Sequence, residues 1–563
     1  MHKILLIICG VLISLYLWIG LLHPLTAMDQ DLGRHLLLGK IIVQTHTIPH
    51  TNLLSYTYPT YPFINSHWLS EVIFYEISQL AGLPGLLVFS TTIVMASFLL
   101  IFFFAVKRSS LLAGVLVASI AAFLLLERGD VRPEIFSFLL MTLFITILYR
   151  YQEKPTKLLF LLIPLEMLWV NLHIYFFVGI VLLVLFLLAK PSKSLVIVTC
   201  LAVLATLVNP NGLTGALFPI TVLDNYGMPV MENQNIFLLQ MLYQQARILL
   251  FEIAFSLCFM SLLLSRLTTK RIDWFVCIAF TLAAIIHIRN LPLFVFATFL
   301  PFTKSLIIPL AKITSLRKKY LTPKIFTILT FYAFGLTLLV LLTAIMRLFT
   351  MHPGGIGFRE SGKQAADFFR QQHLTGPIYN NFDIGSYLDY RLYPQEKVFV
   401  DGRPEAYPKD FFQTVYIPMQ ENPALFAKGD RQYHFNILFI SHWDQTPWRN
   451  NFLRSLLDNK DYALIYLDDF VVIFVKRTPT NKAIVERFAV TETTFQIPKT
   501  TDKEALIHYL YFFDKVGWKE QGALAKQALV RIDPNACALN QYQTLLHNVH
   551  RFSLKPIASG ICF

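Results

Sequence analysis

The sequence predicts a polytopic α-helical membrane protein of about 11 spans, with a C-terminal extracytoplasmic α/β domain and a short helical tail. Three observations predict it. Hydrophobic residues make up 55% of the 563 and charged residues only 15%, a balance typical of chains that live in lipid. Apolar runs close to the length a bilayer needs recur through residues 1–350. Beyond them the pattern changes to alternating helical and strand-like stretches of ordinary polarity.

The expected spans are Ile4–Leu22, Leu83–Val106, Leu111–Leu126, Pro133–Tyr149, Leu158–Val170, Ile174–Ala189, Leu195–Val208, Ile248–Ser265, Trp274–Ile288, Leu291–Pro309 and Ile325–Leu348. The fifth is short and is either tilted or re-entrant. Lys3 precedes the first span. Alternate loops then carry Lys107-Arg108, Arg150/Lys154/Lys157, Lys190/Lys193, Arg266/Lys270/Arg271 and Lys312 to Lys324. Short cytoplasmic loops are enriched in Lys and Arg, so these face inward, the N-terminus is cytoplasmic and the apolar start is an uncleaved anchor. The same loops account for much of the +13 net charge, which leaves little reason to expect a nucleic-acid partner. Cys9, Cys200, Cys258 and Cys277 fall inside spans and read as small core residues. Cys537 and Cys562 are free to pair outside, with no spacing rule in support.

The complementary loops, chiefly 23–82 and 209–246, hold the polar motifs, all on the outer side. A soluble α/β domain is expected over 351–478, after the linker Met351-His352-Pro353-Gly354-Gly355. In it Ala365–Gln372, Ile384–Leu392 and Trp448–Asp458 read as helices. Pro377–Asn381, Lys397–Asp401 and Asn436–Ser441 read as extended, and Ala463–Leu467 with Val471–Lys476 as a hairpin turning at Asp468-Asp469. Residues 479–563 read as a linker and a helical tail, in which Gly517-Trp518 suggests one tetratricopeptide-like helix pair. A single such repeat is a weak signal.

The densest chemistry follows the first span, at Met28-Asp29-Gln30-Asp31-Leu32-Gly33-Arg34-His35. Charged groups beside hydrocarbon are costly and usually serve a purpose. Asp31 and His35 are four apart, as are His67 and Glu71, so each pair shares a helix face if its segment is helical. Asp29, Asp31, His35, His67 and Glu71 together suit a divalent cation, Mg²⁺ or Mn²⁺ by their carboxylates and Zn²⁺ by their histidines, or a base beside a phosphate. The plainer alternative is a helix cap and two interfacial histidines. In Glu127-Arg128-Gly129-Asp130-Val131-Arg132-Pro133-Glu134, Arg132 stands before a helix start, where anions are favoured and a guanidinium fork matches phosphate. Pairing of Glu127, Arg128, Asp130 and Arg132 among themselves is the alternative. Asn171 and His173, in Trp169-Val170-Asn171-Leu172-His173, are placed to orient a sugar or a catalytic acid, and Trp169 is a sugar platform or an interface anchor. Arg289, in His287-Ile288-Arg289-Asn290, is a second phosphate contact. Asp401-Gly402-Arg403 closes an apparent strand and either binds a ligand or forms a salt-bridged turn.

These motifs, in order, resemble the GT-C superfamily of polytopic glycosyltransferases. The pattern runs from Asp29-x-Asp31-x-x-x-His35 through Ile48-Pro49-His50-Thr51, Ser55-Tyr56-Thr57 and His67-Trp68-Leu69-x-Glu71. It continues with Arg132-Pro133-Glu134-x-Phe136-Ser137, Trp169 to His173, Asn209-Pro210-Asn211-Gly212, Arg289-Asn290 and Val398 to Arg403. The nearest likeness is to the bacterial branch related to protein mannosyltransferases and lipid A aminoarabinose transferases. It covers roughly residues 1–476 and leaves the tail unexplained. The resemblance implies an integral protein of the bacterial plasma membrane that takes a polyprenyl-phosphate sugar as donor and a lipid, glycan or protein of the cell envelope as acceptor. It does not decide the metal, because the superfamily's acidic motif varies and some members need none.

Such a donor carries its own leaving group. The implied reaction is an inverting displacement with Asp31 as base, Asp29 as the alternative, and Arg132, Arg289 and Arg128 on the phosphate. His35, His67 and Glu71 complete the first-loop site. Two other classes compete: a lipid-linked saccharide transporter, which would use Glu166 or Glu252 within the spans, and a non-catalytic envelope assembly protein. A membrane-anchored binding module built on Asp401-Gly402-Arg403 is a further alternative.

Overall fold

The computed structural model describes residues 2–22, 31–126, 130–222, 227–228, 230–243, 246–307, 331, 335, 338, 342, 360–444, 446 and 448–533. Asp29, Arg128, nearly all of the expected span 325–348 and both Cys537 and Cys562 lie outside the described residues.

The first half is helical. In chain order the helices are α1 (His2–Leu21), α2 (Gly33–Thr45), α3 (Trp68–Val106), α4 (Leu111–Leu126), α5 (Glu134–Glu153), α6 (Leu162–Leu172) and α7 (Phe177–Ala189). There follow α8 (Lys193–Ala205), α9 (Gly212–Thr221), α10 (Ile236–Tyr243), α11 (Ala246–Leu264), α12 (Arg271–Ile286) and α13 (Leu291–Ser305). Each of the first ten expected spans meets one of them. By length and composition three described helices, Lys3–Leu21, Trp68–Val106 and Glu134–Glu153, are long and apolar enough to cross a membrane. Others are shorter but carry exposed apolar stripes, such as Val196, Leu201 and Leu204 on α8 and Leu249, Ile253 and Leu257 on α11. In water such stripes would be a liability; against lipid they are the expected outer surface.

Local chemistry sets the irregularities. Gly82 takes φ 67°, ψ −178° just before Pro84, and this kink divides α3. A left-handed φ of that size is open to glycine at no steric cost. The short fifth expected span is the 11-residue α6, entered through a 3₁₀ turn over Lys157–Leu161 that Thr156 caps. The region 209–246, expected as a loop, contains α9 and α10. Leu213, Leu217 and Ile220 give α9 an exposed apolar face, the property of a helix lying at a membrane surface.

The two ends of the bundle are chemically distinct. At one end Arg108 bonds Glu153 through Nε (2.7 Å) and Nη2 (2.6 Å), Tyr151 meets Ser192 at 2.8 Å, and Lys304 reaches Asp273 at 3.4 Å. These are the loops expected to face inward. At the other end His50 meets Asn211 at 3.1 Å, and Asn171 bonds the Val208 carbonyl at 2.8 Å.

The α/β part runs through α14 (Lys363–Gln371), β1 (Ile378–Asn380), α15 (Phe382–Leu392), α16 (Pro423–Tyr433), β2 (Ile437–Ser441), α17 (Arg449–Leu457), β3 (Tyr462–Leu467) and β4 (Val471–Lys476). The strands order as β1-β2-β4-β3. The β1/β2 pair is parallel, and the β2/β4 and β3/β4 pairs are antiparallel. The runs Ile-Leu-Phe-Ile-Ser in β2 and Val-Val-Ile-Phe-Val in β4 are buried throughout. Continuous apolar strands are the signature of a sheet covered on both faces. Two further helices, α18 (Lys503–Val516) and α19 (Lys519–Ile532), turn at Gly517 (φ 81°) and dock through His508, whose ring centroid lies 3.8 Å from that of Trp443.

One expected strand does not enter the sheet. The segment Lys397–Asp401 lies instead along the loop between α2 and α3, with Ser55 bridged to Val398 in parallel. Ser55 Oγ and Thr57 Oγ1 donate to the Phe399 carbonyl at 3.0 and 2.7 Å, and Tyr56 Oη donates to that of Ile378 at 2.9 Å. Backbone groups that the sheet leaves unpaired are thus satisfied by the loop, as buried backbone requires.

Candidate active site at one end of the bundle

Helix α2 sets the first layer. It crosses α3 at Gly39, where a Cβ would run into the Glu71 carbonyl, so only glycine permits this approach. The crossing brings His35 onto Glu71, with Nδ1 and Oε1 2.9 Å apart. The other Glu71 oxygen accepts from Asn65 Nδ2 at 2.6 Å, while Asn65 Oδ1 receives the backbone N–H of His67 at 3.1 Å. His35 is buried and His67 half-buried. Burial and the Arg34 guanidinium keep the His35 imidazole well below its ordinary pKa, and the same causes push His67 down to about 3. Both therefore stand neutral at physiological pH.

Asp31 sits one turn before His35 between two guanidinium groups. Arg34 reaches its Oδ1 through Nη2 (3.2 Å) and Nε (3.4 Å), and Arg132 Nη2 lies 3.4 Å from Oδ2. Arg132 also places Nη1 2.8 and 2.9 Å from the two oxygens of Glu232 and Nη2 3.7 Å from Asp130. Its buried Nε has no acceptor among the described residues.

The third layer comes from α5, α6, the turn between α6 and α7, and the turn before α13. His173 bonds Ser137 Oγ at 2.8 Å, and the same oxygen accepts from Trp169 Nε1 at 2.8 Å. The His67 ring lies 5.7 Å from that of His35 and 5.1 Å from that of His173, a row of three imidazoles. Arg289 donates from Nε to Tyr175 Oη (2.9 Å) and from Nη1 to Asn233 Oδ1 (3.2 Å). From the α/β part, Glu405 lies within the field of Arg34.

The structure therefore gathers Asp31, His35, His67, Glu71, Arg132, His173 and Arg289 at one end. Two expectations change. Asn171 is engaged elsewhere: its oxygen takes Trp68 Nε1 at 2.9 Å and its amide the Met167 and Val208 carbonyls. Trp169 is fully buried in the bundle rather than at an interface or in a binding surface. Arg34, Glu232, Asn233 and Tyr175 belong to the site but were not expected there. Arg34 alone carried a sequence signal, standing in the first-loop motif.

Asp29 lies outside the described residues, and the four described members of the first-loop set, Asp31, His35, His67 and Glu71, are engaged with other partners rather than grouped around a cation. Both Glu71 oxygens are taken by His35 and Asn65, and Asp31 faces two arginines. Among the described residues no group of three or more His, Cys, Asp or Glu is arranged to hold a metal ion. The Asp401-Gly402-Arg403 turn is likewise no ligand surface: both charged side chains are fully buried and bonded to each other at 2.6 Å.

An apolar helical bundle, a charged site at one end and a small α/β part joined to the loop between α2 and α3 make an architecture that solved structures share. The archaeal oligosaccharyltransferase AglB of Archaeoglobus fulgidus, in complex with an inhibitory peptide and a dolichol-phosphate, matches with a TM-score of 0.53 at 12% identity, over 82% of this chain and 72% of that one. ArnT from Cupriavidus metallidurans, in the apo state, matches at 0.51 and 12% identity, over 86% of this chain and 99% of that one. No protein-family model and no curated protein matches the chain. The likeness is one of fold, and it agrees with the fold that the resemblance of the sequence motifs implies.

Proposed function

We propose that the chain is a membrane glycosyltransferase that moves a sugar from a polyprenyl-phosphate donor to an extracytoplasmic acceptor, inverting the anomeric centre. The observation that carries this reading is the 3.4 Å approach of Arg132 to Asp31. It sets a phosphate-binding fork beside a carboxylate at the end of a GT-C bundle. In this reading that end faces outward and the Arg108–Glu153 end faces the cytoplasm of a bacterial plasma membrane.

Asp31 takes the proton of the acceptor hydroxyl as its oxygen bonds the anomeric carbon. The bond from that carbon to the phosphate oxygen breaks, and the pair leaves with the phosphate. A base of this kind contributes about 10²–10⁴ in rate. Arg132 and Arg289 hold the departing anion, and fixed donors in a water-poor site cost no reorganisation as charge develops. Arg34 aligns Asp31. His35, tied by Glu71, and His67 line the site as neutral groups. The acceptor is a lipid, a glycan or a protein of the envelope. Asp31→Asn is expected to fold and bind donor without transferring sugar; retained turnover with a mass-identified product would refute the assignment.

A further inference from the structure

The two arginines assigned to the phosphate are held by neighbouring residues of one short segment. Glu232 and Asn233 stand side by side in the turn Met231–Asn233. Glu232 holds Arg132, while Asn233 holds Arg289 through its side chain and His287 through its carbonyl (2.7 Å). The next residue, Gln234, accepts the Ile288 N–H at 3.2 Å. The segment is a strap laid over both guanidinium groups.

The geometry at Arg132 is that of a placeholder. Both Glu232 oxygens crowd one nitrogen, Nη1, at 2.8 and 2.9 Å, whereas a strong guanidinium pair is fork to fork, two nitrogens on two oxygens. Meanwhile Nε is buried without an acceptor among the described residues, and an unmet buried donor is costly. An anion with oxygens to spare would serve this guanidinium better. A phosphodiester carries the same single charge as the carboxylate it would replace, so the exchange leaves the charge of the site unchanged. It adds only the better match to the fork.

We propose that Glu232 is the carboxylate that the donor's phosphate displaces from Arg132, so that the strap 231–234 leaves the arginines when donor loads. This rests on the donor reading above. The free site is then kept paired by its own chain, and donor affinity is set by competition with Glu232.

The test is titration of the detergent-solubilised full chain with undecaprenyl phosphate, held at about pH 5 so that this monoester carries the single charge of the phosphodiester donor, by native mass spectrometry, for wild type, Glu232→Gln and Arg132→Ala. Removing the competing charge while keeping its shape is expected to tighten binding about tenfold, the low end for a hydrogen bond to a charged group, and Arg132→Ala is expected to lose binding. Equal or weaker binding by Glu232→Gln, with Arg132→Ala still defective, would overturn the exchange and leave the donor reading standing. Arg132→Ala binding like wild type, or no binding by any of the three proteins, would sink the donor reading and the exchange with it. A second measurement needs no variant: in wild type, amide hydrogen exchange across 230–243 should rise when undecaprenyl phosphate is added. Unchanged or slower exchange there would overturn the strap.

Discussion

Arg403→Ala isolates the joint between the α2–α3 loop and the α/β part. Arg403 is fully buried and bonds Asp401 through Nε (2.9 Å) and Nη2 (2.6 Å). Nη2 also reaches Asn52 Oδ1 of the loop at 2.7 Å, and the guanidinium lies 4.8 Å from the Phe63 ring centroid. Truncation leaves Asp401 an unpaired charge in a dry site. Breaking a buried pair on one side typically costs about 3–5 kcal/mol. At roughly 2–4 °C per kcal/mol for a unit of 150–250 residues, the expected drop in Tm is about 6–20 °C. Asp389 stands beside the same pair. Its carboxyl has no hydrogen-bond partner among the described residues, and burial and the Asp401 charge hold it well above the usual carboxylate range, with Arg403 opposing. The assay is thermal unfolding of the detergent-solubilised chain, with limited proteolysis across residues 47–63 as a local readout. The double variant Asp401→Leu/Arg403→Met should recover most of the loss, because no charge is stranded. The reasoning fails if Arg403→Ala melts like Arg370→Ala, whose side chain is half exposed, or if the double variant is worse than the single.

Gly39→Ala should cost activity and stability together, since its Cβ meets the Glu71 backbone and Tyr75; a variant with wild-type Tm and turnover would show that α2 and α3 can separate freely. Glu166→Gln should leave transfer intact, because both Glu166 oxygens are buried without a partner among the described residues; loss of function with retained fold would favour the transport alternative. Asp468, at the β3–β4 turn, is pushed up to about 7 by burial and by Asp469. The folded chain thus keeps a proton that the unfolded chain releases between about pH 4 and 7, so this contribution is present below about pH 4 and is lost as pH rises toward 7. Asp468→Asn should flatten that slope in unfolding experiments from pH 4 to 7.5, and an unchanged slope would assign it elsewhere.

What could be read from the chain and what could not divide along one physical line. Spans are readable because lipid imposes a local rule, an apolar face over a fixed length, and the first ten expected runs met helices for that reason. The same rule was diluted in 209–246 by Pro210, Gly212 and Pro219 and by the brevity of α9 and α10, so their apolar faces passed as loop. The segment expected to be extended at 397–401 bridges Ser55 rather than joining the sheet, because its apolar residues pack under the first loop, a burial that looks the same in sequence as burial in a sheet. In the site, residue types were legible but partners were not. Pairing of Glu127, Arg128, Asp130 and Arg132 among themselves within one turn is the alternative the sequence offers. Among the described residues the structure gives Asp130 only the longest contact, 3.7 Å, and nearer ones to Asp31 and Glu232. Pro133 supplies a reason. The residue before a proline is kept out of helical backbone, which favours turning the Arg132 side chain away from its own loop and toward α2 and the strap. Glu232 lies 100 residues along the chain from Arg132, inside no motif, and its partner is set by the packing of two loops. A pair closed between two distant loops leaves no spacing to find, so the Glu232 contact to Arg132 is visible only in three dimensions.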